Sequence, residues 1–266
     1  MNAFKNRWPS FLIVLLLSFT TTAAVAANPP AAREWYEIKI YHFKDAEQEK
    51  VLDNYLQTAY LPALHKAGIG KVGVFKAIAN DTAADKQLYV FIPVKAMDKW
   101  MKLPAQLEAD AAYQQAGKVY IDAAYTTPAF VRIESILLQA FPMMPEMQLP
   151  KLAGPHSERV YELRSYESAT EKLYHNKVTM FNDGGEVTLF KRLNFNAVFY
   201  GEVWSGSHMP NLMYMTTFEN RADRDEHWKV FGADPEWVKL KALPQYQNNV
   251  SKAGIIFLRP VDYSDI

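Results

Sequence analysis

Apolar and polar positions alternate from Trp35 to Phe43, which predicts a strand. Val51, Leu52, Tyr55, Leu56, Ala59, Tyr60, Ala63 and Leu64 then recur at helical spacing, with Pro62 marking a break or restart. Lys71 to Ala79 and Gln87 to Val94 read as strands joined around Asn80-Asp81. A helical region runs from Ala96 to about Ala123, interrupted near Pro104, and Ala129 to Gln139 reads as a fourth strand.

The same order then returns. Val160 to Tyr166 is a strand, Thr170 to about Leu193 is mostly helical, and Asn196 to Trp204 and Leu212 to Phe218 are strands around a Ser-Gly-Ser turn. Arg221 to Phe231 and Pro235 to about Asn249 are helical, and Gly254 to Arg259 is the last strand. Each half is a βαββαβ unit of the split-βαβ, ferredoxin-like kind. "EWYEIKIYH" at Glu34 to His42 and "RVYELRSYES" at Arg159 to Ser168 open the two units with one phrase. Val74-Phe75 corresponds to Val198-Phe199, and Trp100 to Trp228. The expected fold class is therefore α+β: two tandem ferredoxin-like units, at 34–140 and 159–266, whose antiparallel sheets face each other as an intrachain dimeric α/β barrel. A proline-rich linker over 141–158, carrying Met143, Met144 and Met147, joins them.

Alternation also sorts side chains by face. Tyr36, Ile38 and Ile40 suit packing against the helices, so Glu37, Lys39 and Tyr41 are expected on the opposite face, between the sheets. Glu162, Arg164 and Tyr166 are their equivalents. The same parity is expected to bring in Lys76, Tyr200, Glu202, Trp204, Arg132, Glu134 and Arg259. The candidate ligand-binding set is Glu37, Lys39, Tyr41, Glu162, Arg164, Tyr166 and Trp204. The competing reading is a paired charge network with no ligand, since buried charges ordinarily occur in pairs.

The first residues change the setting. Lys5 and Arg7 precede an apolar run from Phe11 to Phe19, and Ala24-Val25-Ala26 is an A-x-A site. Residues 1–26 read as a signal peptide cleaved after Ala26 and imply a secreted, periplasmic product. The chain of 266 residues has no cysteine, so neither a lipid-anchored cysteine nor a disulfide is available, and no stable membrane anchor is expected. Its 29 basic and 29 acidic residues balance, which gives no electrostatic footprint for nucleic acid. Self-association through exposed strand edges is expected.

Most catalytic patterns fail on context. Gly68-x-Gly70-x-x-Gly73 matches the dinucleotide fingerprint as a string, but it leaves a helix and enters a strand, so the glycines end a helix and admit a turn. The histidines form no H-E-x-x-H; Glu171/His175 and Asp223/His227 have the spacing of surface helix pairs, and His65 that of a helix C-terminal partner. Ser205-Gly206-Ser207 lacks the nucleophile-elbow pattern and reads as a turn. No metal, cofactor or catalytic residue is expected from these patterns. Asp234-Pro235 suits a helix N-cap and first residue, with Trp228, Phe231 and Trp237 as packing aromatics.

"VYELRSY" followed by "HWKVFGADPEW", His227 to Trp237, resembles the NIPSNAP family. The match is strong in the second unit and weaker in the first, where "EWYEIKIYH" departs from the arginine-containing motif and no Asp-Pro-x-Trp follows Trp100. The resemblance implies a dimeric α/β-barrel fold and supplies no catalytic set. Related barrels bind haem, and nothing in this sequence selects a histidine for it. The function it points to is non-catalytic binding of a small amphipathic ligand or a protein partner in the cell envelope. The alternative is a cofactor-independent oxygenase or isomerase acting on an aromatic or polyketide-like substrate.

Overall fold

The structure is a computed structural model that describes residues 32–266, so the signal peptide and its Ala24-Val25-Ala26 site lie outside the described residues. The first unit comprises β1 (Trp35–Phe43), α1 (Ala46–Tyr55), α2 (Leu61–Lys66), β2 (Gly73–Ala77), β3 (Lys86–Val94), α3 (Met97–Ala109), α4 (Ala111–Ala116), α5 (Lys118–Ile121) and β4 (Arg132–Ala140). The second comprises β5 (Val160–Glu167), α6 (Glu171–Asn182), α7 (Glu186–Arg192), β6 (Phe199–Ser205), β7 (Asn211–Phe218), α8 (Arg221–Ala233), α9 (Pro235–Lys241) and β8 (Lys252–Pro260).

The strands close into one antiparallel barrel in the order β1-β3-β2-β8-β5-β7-β6-β4. β1 and β5 occupy opposite positions in that ring, as do β3 and β7, β2 and β6, and β4 and β8, so the units are related by a pseudo-twofold along the barrel axis. The seams are β2–β8, where Lys76 opposes Arg259, and β4–β6, where Gln139 opposes Glu202. Each described strand has a neighbour on both sides, so closure removes the free edges on which self-association was expected to rest.

Closure also reverses the expected faces. Tyr36, Ile38 and Ile40 do not pack on the helices. They point into the barrel with Phe75, Tyr89 and Phe91 of their own unit and Leu163, Phe199 and Met215 of the other, in one buried cluster. Glu37, Lys39 and Tyr41, and likewise Glu162, Arg164 and Tyr166, lie on the outer face, under the helices. The barrel interior is shielded by sheet all round, so the most apolar face of each strand goes there, and the helix layer receives the mixed one. Lys76, Tyr200, Glu202, Trp204 and Arg259 share that outer face, but Glu134 and Arg132 do not. Register pairs them with Ile40 and His42, which puts them on the inner face at one mouth of the barrel.

Local irregularities follow the chemistry of single residues. The first helical stretch does not stop at Pro62; it widens into a π turn at Leu56–Tyr60, with Leu61 N–H donating to Leu56 O, and continues as α2. Pro104 likewise sits inside α3, and the interruption falls at Asp110, whose carboxylate caps α4 by accepting from the Ala112 and Tyr113 N–H groups. Gly68 ends α2 at φ 80°, while Ile69 N–H reaches back to Leu64 O, so the glycine string is a helix terminus. The linker is part of the core: Glu34 N–H donates to Pro145 O, Met147 N–H donates to Glu34, and the Met147 side chain joins the barrel cluster. Among the described residues no helix is long and apolar enough to cross a membrane.

Candidate functional site

Equivalent positions in the two units can be counted from their caps. Asp110 caps α4 as Asp234 caps α9, each accepting two backbone N–H groups. Counting back, α3 and α8 start at Met97 and Arg221, so Trp100 is the fourth residue of its helix and Trp228 the eighth of its own. The expected Trp100/Trp228 correspondence is therefore one helical turn out. Trp100 stands in the place of Arg224, and the counterparts of Trp228, Phe231 and Trp237 are Pro104, Leu107 and Tyr113. The misreading has a physical basis, because residues four apart on a helix share a face and both indoles reach the equivalent glutamate.

That glutamate is buried in both units, in different company. Glu162 accepts from Arg164 Nε at 2.6 Å, from Arg224 Nε and Nη2 at 2.7 and 2.9 Å, and from Trp228 Nε1 at 2.8 Å. Burial opposes its charge, but Arg224, Arg164 and Trp228 more than offset this, and the carboxyl titrates below its ordinary range. Arg164 also donates to Tyr166 Oη at 2.9 Å, and Tyr166 Oη contacts Tyr214 Oη at 2.9 Å. The centroids of Phe231 and Trp237 lie 4.5 Å apart beside it, so aromatic rings occupy the space under α8 and α9. Here Glu162, Arg164 and Tyr166 come together as a closed network.

In the first unit Glu37 accepts from Trp100 Nε1 at 2.9 Å and Ser135 Oγ at 2.6 Å, and Lys39 Nζ stands 3.9 Å from it. Pro104, Leu107 and Tyr113 are each smaller than their aromatic counterparts Trp228, Phe231 and Trp237, and they line a cavity of about 540 Å³. Glu37 and Lys39 line it too, with Tyr55, Tyr60, Trp100 and Leu103 among its walls. Lys39 lies over the Tyr60 ring, 5.4 Å from its centroid. Tyr60, 1 % exposed, has a buried hydroxyl with no hydrogen-bond partner. Burial, followed by the Glu37 charge, pushes that hydroxyl well up, so it remains a protonated donor.

Two further sequence candidates stand elsewhere. Tyr41 is buried among Tyr120 and Phe130, away from the cavity lining. Trp204 is 57 % exposed near the β4–β6 seam, edge-on to Trp35 at 5.4 Å. The residues missed by pattern reasoning are Tyr60 and Tyr113, which periodicity reads only as helix-face aromatics, and Pro104, which it reads as a break. The fingerprint of the site is a set of smaller residues facing one another, visible only when the copies are aligned through Asp110 and Asp234.

The NIPSNAP family model matches residues 161–265, which lie in the second unit. Among curated proteins none matches the sequence. Two solved structures share the whole architecture: a candidate monooxygenase of Fusobacterium nucleatum, with TM-score 0.56, 8 % identity and coverage of 86 % of this chain and 93 % of that one, and another of Lactobacillus acidophilus, with TM-score 0.55, 10 % identity and coverage of 86 % and 94 %. At such identities the likeness is one of fold. A NIPSNAP family protein of Agrobacterium tumefaciens is 18 % identical, covering 44 % of this chain and 98 % of its own at TM-score 0.36.

Proposed function

We propose that this protein is an exported, non-catalytic binding protein for a small amphipathic molecule, and that the first unit's cavity is where the molecule sits. The observation that carries this reading is the state of Lys39. Its ammonium has one carboxylate within reach, Glu37, at 3.9 Å, and both oxygens of that carboxylate are already engaged by Trp100 and Ser135. A half-buried cation over a cavity of about 540 Å³, beside the unpartnered Tyr60 hydroxyl, suits a carbonyl or carboxylate oxygen. The apolar body would lie against Tyr55, Trp100, Leu103 and Leu107, a mixture of walls and few polar groups typical of ligand sites. Binding is favoured over turnover because no histidine is in the lining and Glu37 is held as an acceptor rather than free as a base.

Native mass spectrometry of the protein isolated from its own cell envelope tests this directly. The expected result is a small molecule that survives purification, is retained by Arg164→Met and is lost from Lys39→Met. Retention of the same molecule by Lys39→Met, or an empty parent protein, would count against the reading.

A further inference from the structure

The inner face of the sheet carries a second recess, at the barrel mouth formed by the ends of β1 and β5, with a volume of about 210 Å³. It lies across the sheet from the cavity described above. Its floor is apolar, from Ile40, Leu163 and Met213, and its collar is polar. Pseudo-symmetry explains why it is open. Ile38 pairs with Phe91 and Ile136, as Leu163 pairs with Met215 and Ile256. Stepping outward along the strands, Gln87 corresponds to Asn211, Tyr89 to Met213 and Glu134 to Gly254. Glycine in place of a glutamate leaves room on the second unit's side.

The same substitution pattern leaves an acceptor stranded. Gln87 Oε1 accepts the Tyr89 hydroxyl at 2.5 Å, and its amide nitrogen donates to Asp85 at 3.0 Å. Asn211 donates to Ser165 Oγ at 2.8 Å, but Met213 has no hydroxyl to offer, and Asn211 Oδ1 is buried without a partner in a residue only 3 % exposed. A buried carbonyl oxygen without a donor has lost its hydration and gained nothing in return. Around it the carboxylates outnumber the fixed cations. Glu134 and Asp85 hold His42 between them, each at 2.9 Å, and Glu167 faces Lys252 and His208, each at 3.4 Å. Three carboxylates thus stand against two fixed cations, Lys252 and Arg132, and two imidazoles. The described residues contain no group of three or more His, Asp or Glu arranged to hold a metal ion, so an organic cation is the better fit.

We propose that this barrel mouth binds a small primary amine with a short apolar tail, its ammonium donating to Asn211 Oδ1 and the Glu134 carboxylate and its hydrocarbon resting on Ile40, Leu163 and Met213. The site goes beyond the function proposed for the first cavity and does not depend on it.

Calorimetric titration of the full chain with pentylamine, 1-pentanol and pentanoate, which share a tail and differ in head group, tests the proposal. Pentylamine is expected to bind roughly tenfold or more tightly than either control, the margin of one charge-assisted hydrogen bond. Asn211→Leu, and independently the exposed-rim variant Glu134→Gln, should each remove most of that margin, while Lys39→Met should leave it unchanged. Equal affinity for the three head groups, no binding of pentylamine, or full affinity in a folded Glu134→Gln would overturn it. Loss of the amine in Lys39→Met would assign the binding to the first cavity and overturn it equally.

Discussion

The guanidinium carbon of Arg164 lies 3.6 Å from the centroid of the Trp228 ring, while Arg164 and Trp228 both donate to Glu162. The arginine that sequence alone offers as a ligand anchor therefore has its face covered and its donors engaged. Breaking a buried pair costs about 3–5 kcal/mol. Arg164→Met should fall at the low end, near 3 kcal/mol, because Arg224 and Trp228 stay on the carboxylate. Glu162→Leu should be the worse change, near 5 kcal/mol, since it strands two guanidiniums and an indole N–H together. Urea unfolding of both variants checks the order; a Glu162→Leu protein as stable as the parent would refute the network.

Tyr60→Phe should act with opposite signs on stability and on binding. Its hydroxyl is buried without a partner in the protein, so deleting it should stabilise the ligand-free chain by about 1 kcal/mol. The same change should weaken the ligand of the first cavity by roughly two- to tenfold, the worth of one neutral hydrogen bond. Thermal melts of ligand-free protein and titrations with whatever copurifies give the two numbers separately.

His42 should make stability depend on pH. Burial works against its charged form, but hydrogen bonds to Asp85 and Glu134 outweigh that and raise its pKa above the ordinary 6.5. A histidine raised in the folded state contributes fully below its unfolded pKa, and the contribution fades as pH rises through the folded one. Stability should therefore decline as pH rises upward from about 6.5, and His42→Gln should flatten that decline. Denaturant midpoints at stepped pH, with nuclear magnetic resonance titration of His42, measure both parts.

Export should leave a mature chain beginning at Ala27, following the Ala24-Val25-Ala26 site. Intact mass of the protein recovered from the periplasm checks this, and a full-length species retained in a membrane fraction would contradict it.

Much of the architecture is legible in the order of residues. Alternation at Trp35–Phe43 and Val160–Glu167 and the helical spacing between strands repeat once, and the repeat implies two like units. The Asp234-Pro235 cap is readable because a carboxylate before a proline satisfies helix-start donors by local geometry alone. Local periodicity also tells which side chains share a strand face: Glu37 with Lys39 and Tyr41, Tyr36 with Ile38 and Ile40.

What periodicity cannot tell is which of two faces turns inward, because a period of two is the same seen from either side. Only closure of β2 on β8 and β4 on β6 gives the barrel an interior shielded by sheet, and that interior claims Tyr36, Ile38 and Ile40. Nor does either copy by itself reveal its cavity, since Pro104, Leu107 and Tyr113 are unremarkable residues in a helical region. They become a site because they oppose Glu37 and Lys39 where, in the other unit, Trp228, Phe231 and Trp237 pack under α8 and α9. Volume between facing elements is a property of the assembled layers, and the chain order holds it only as a difference between two distant stretches.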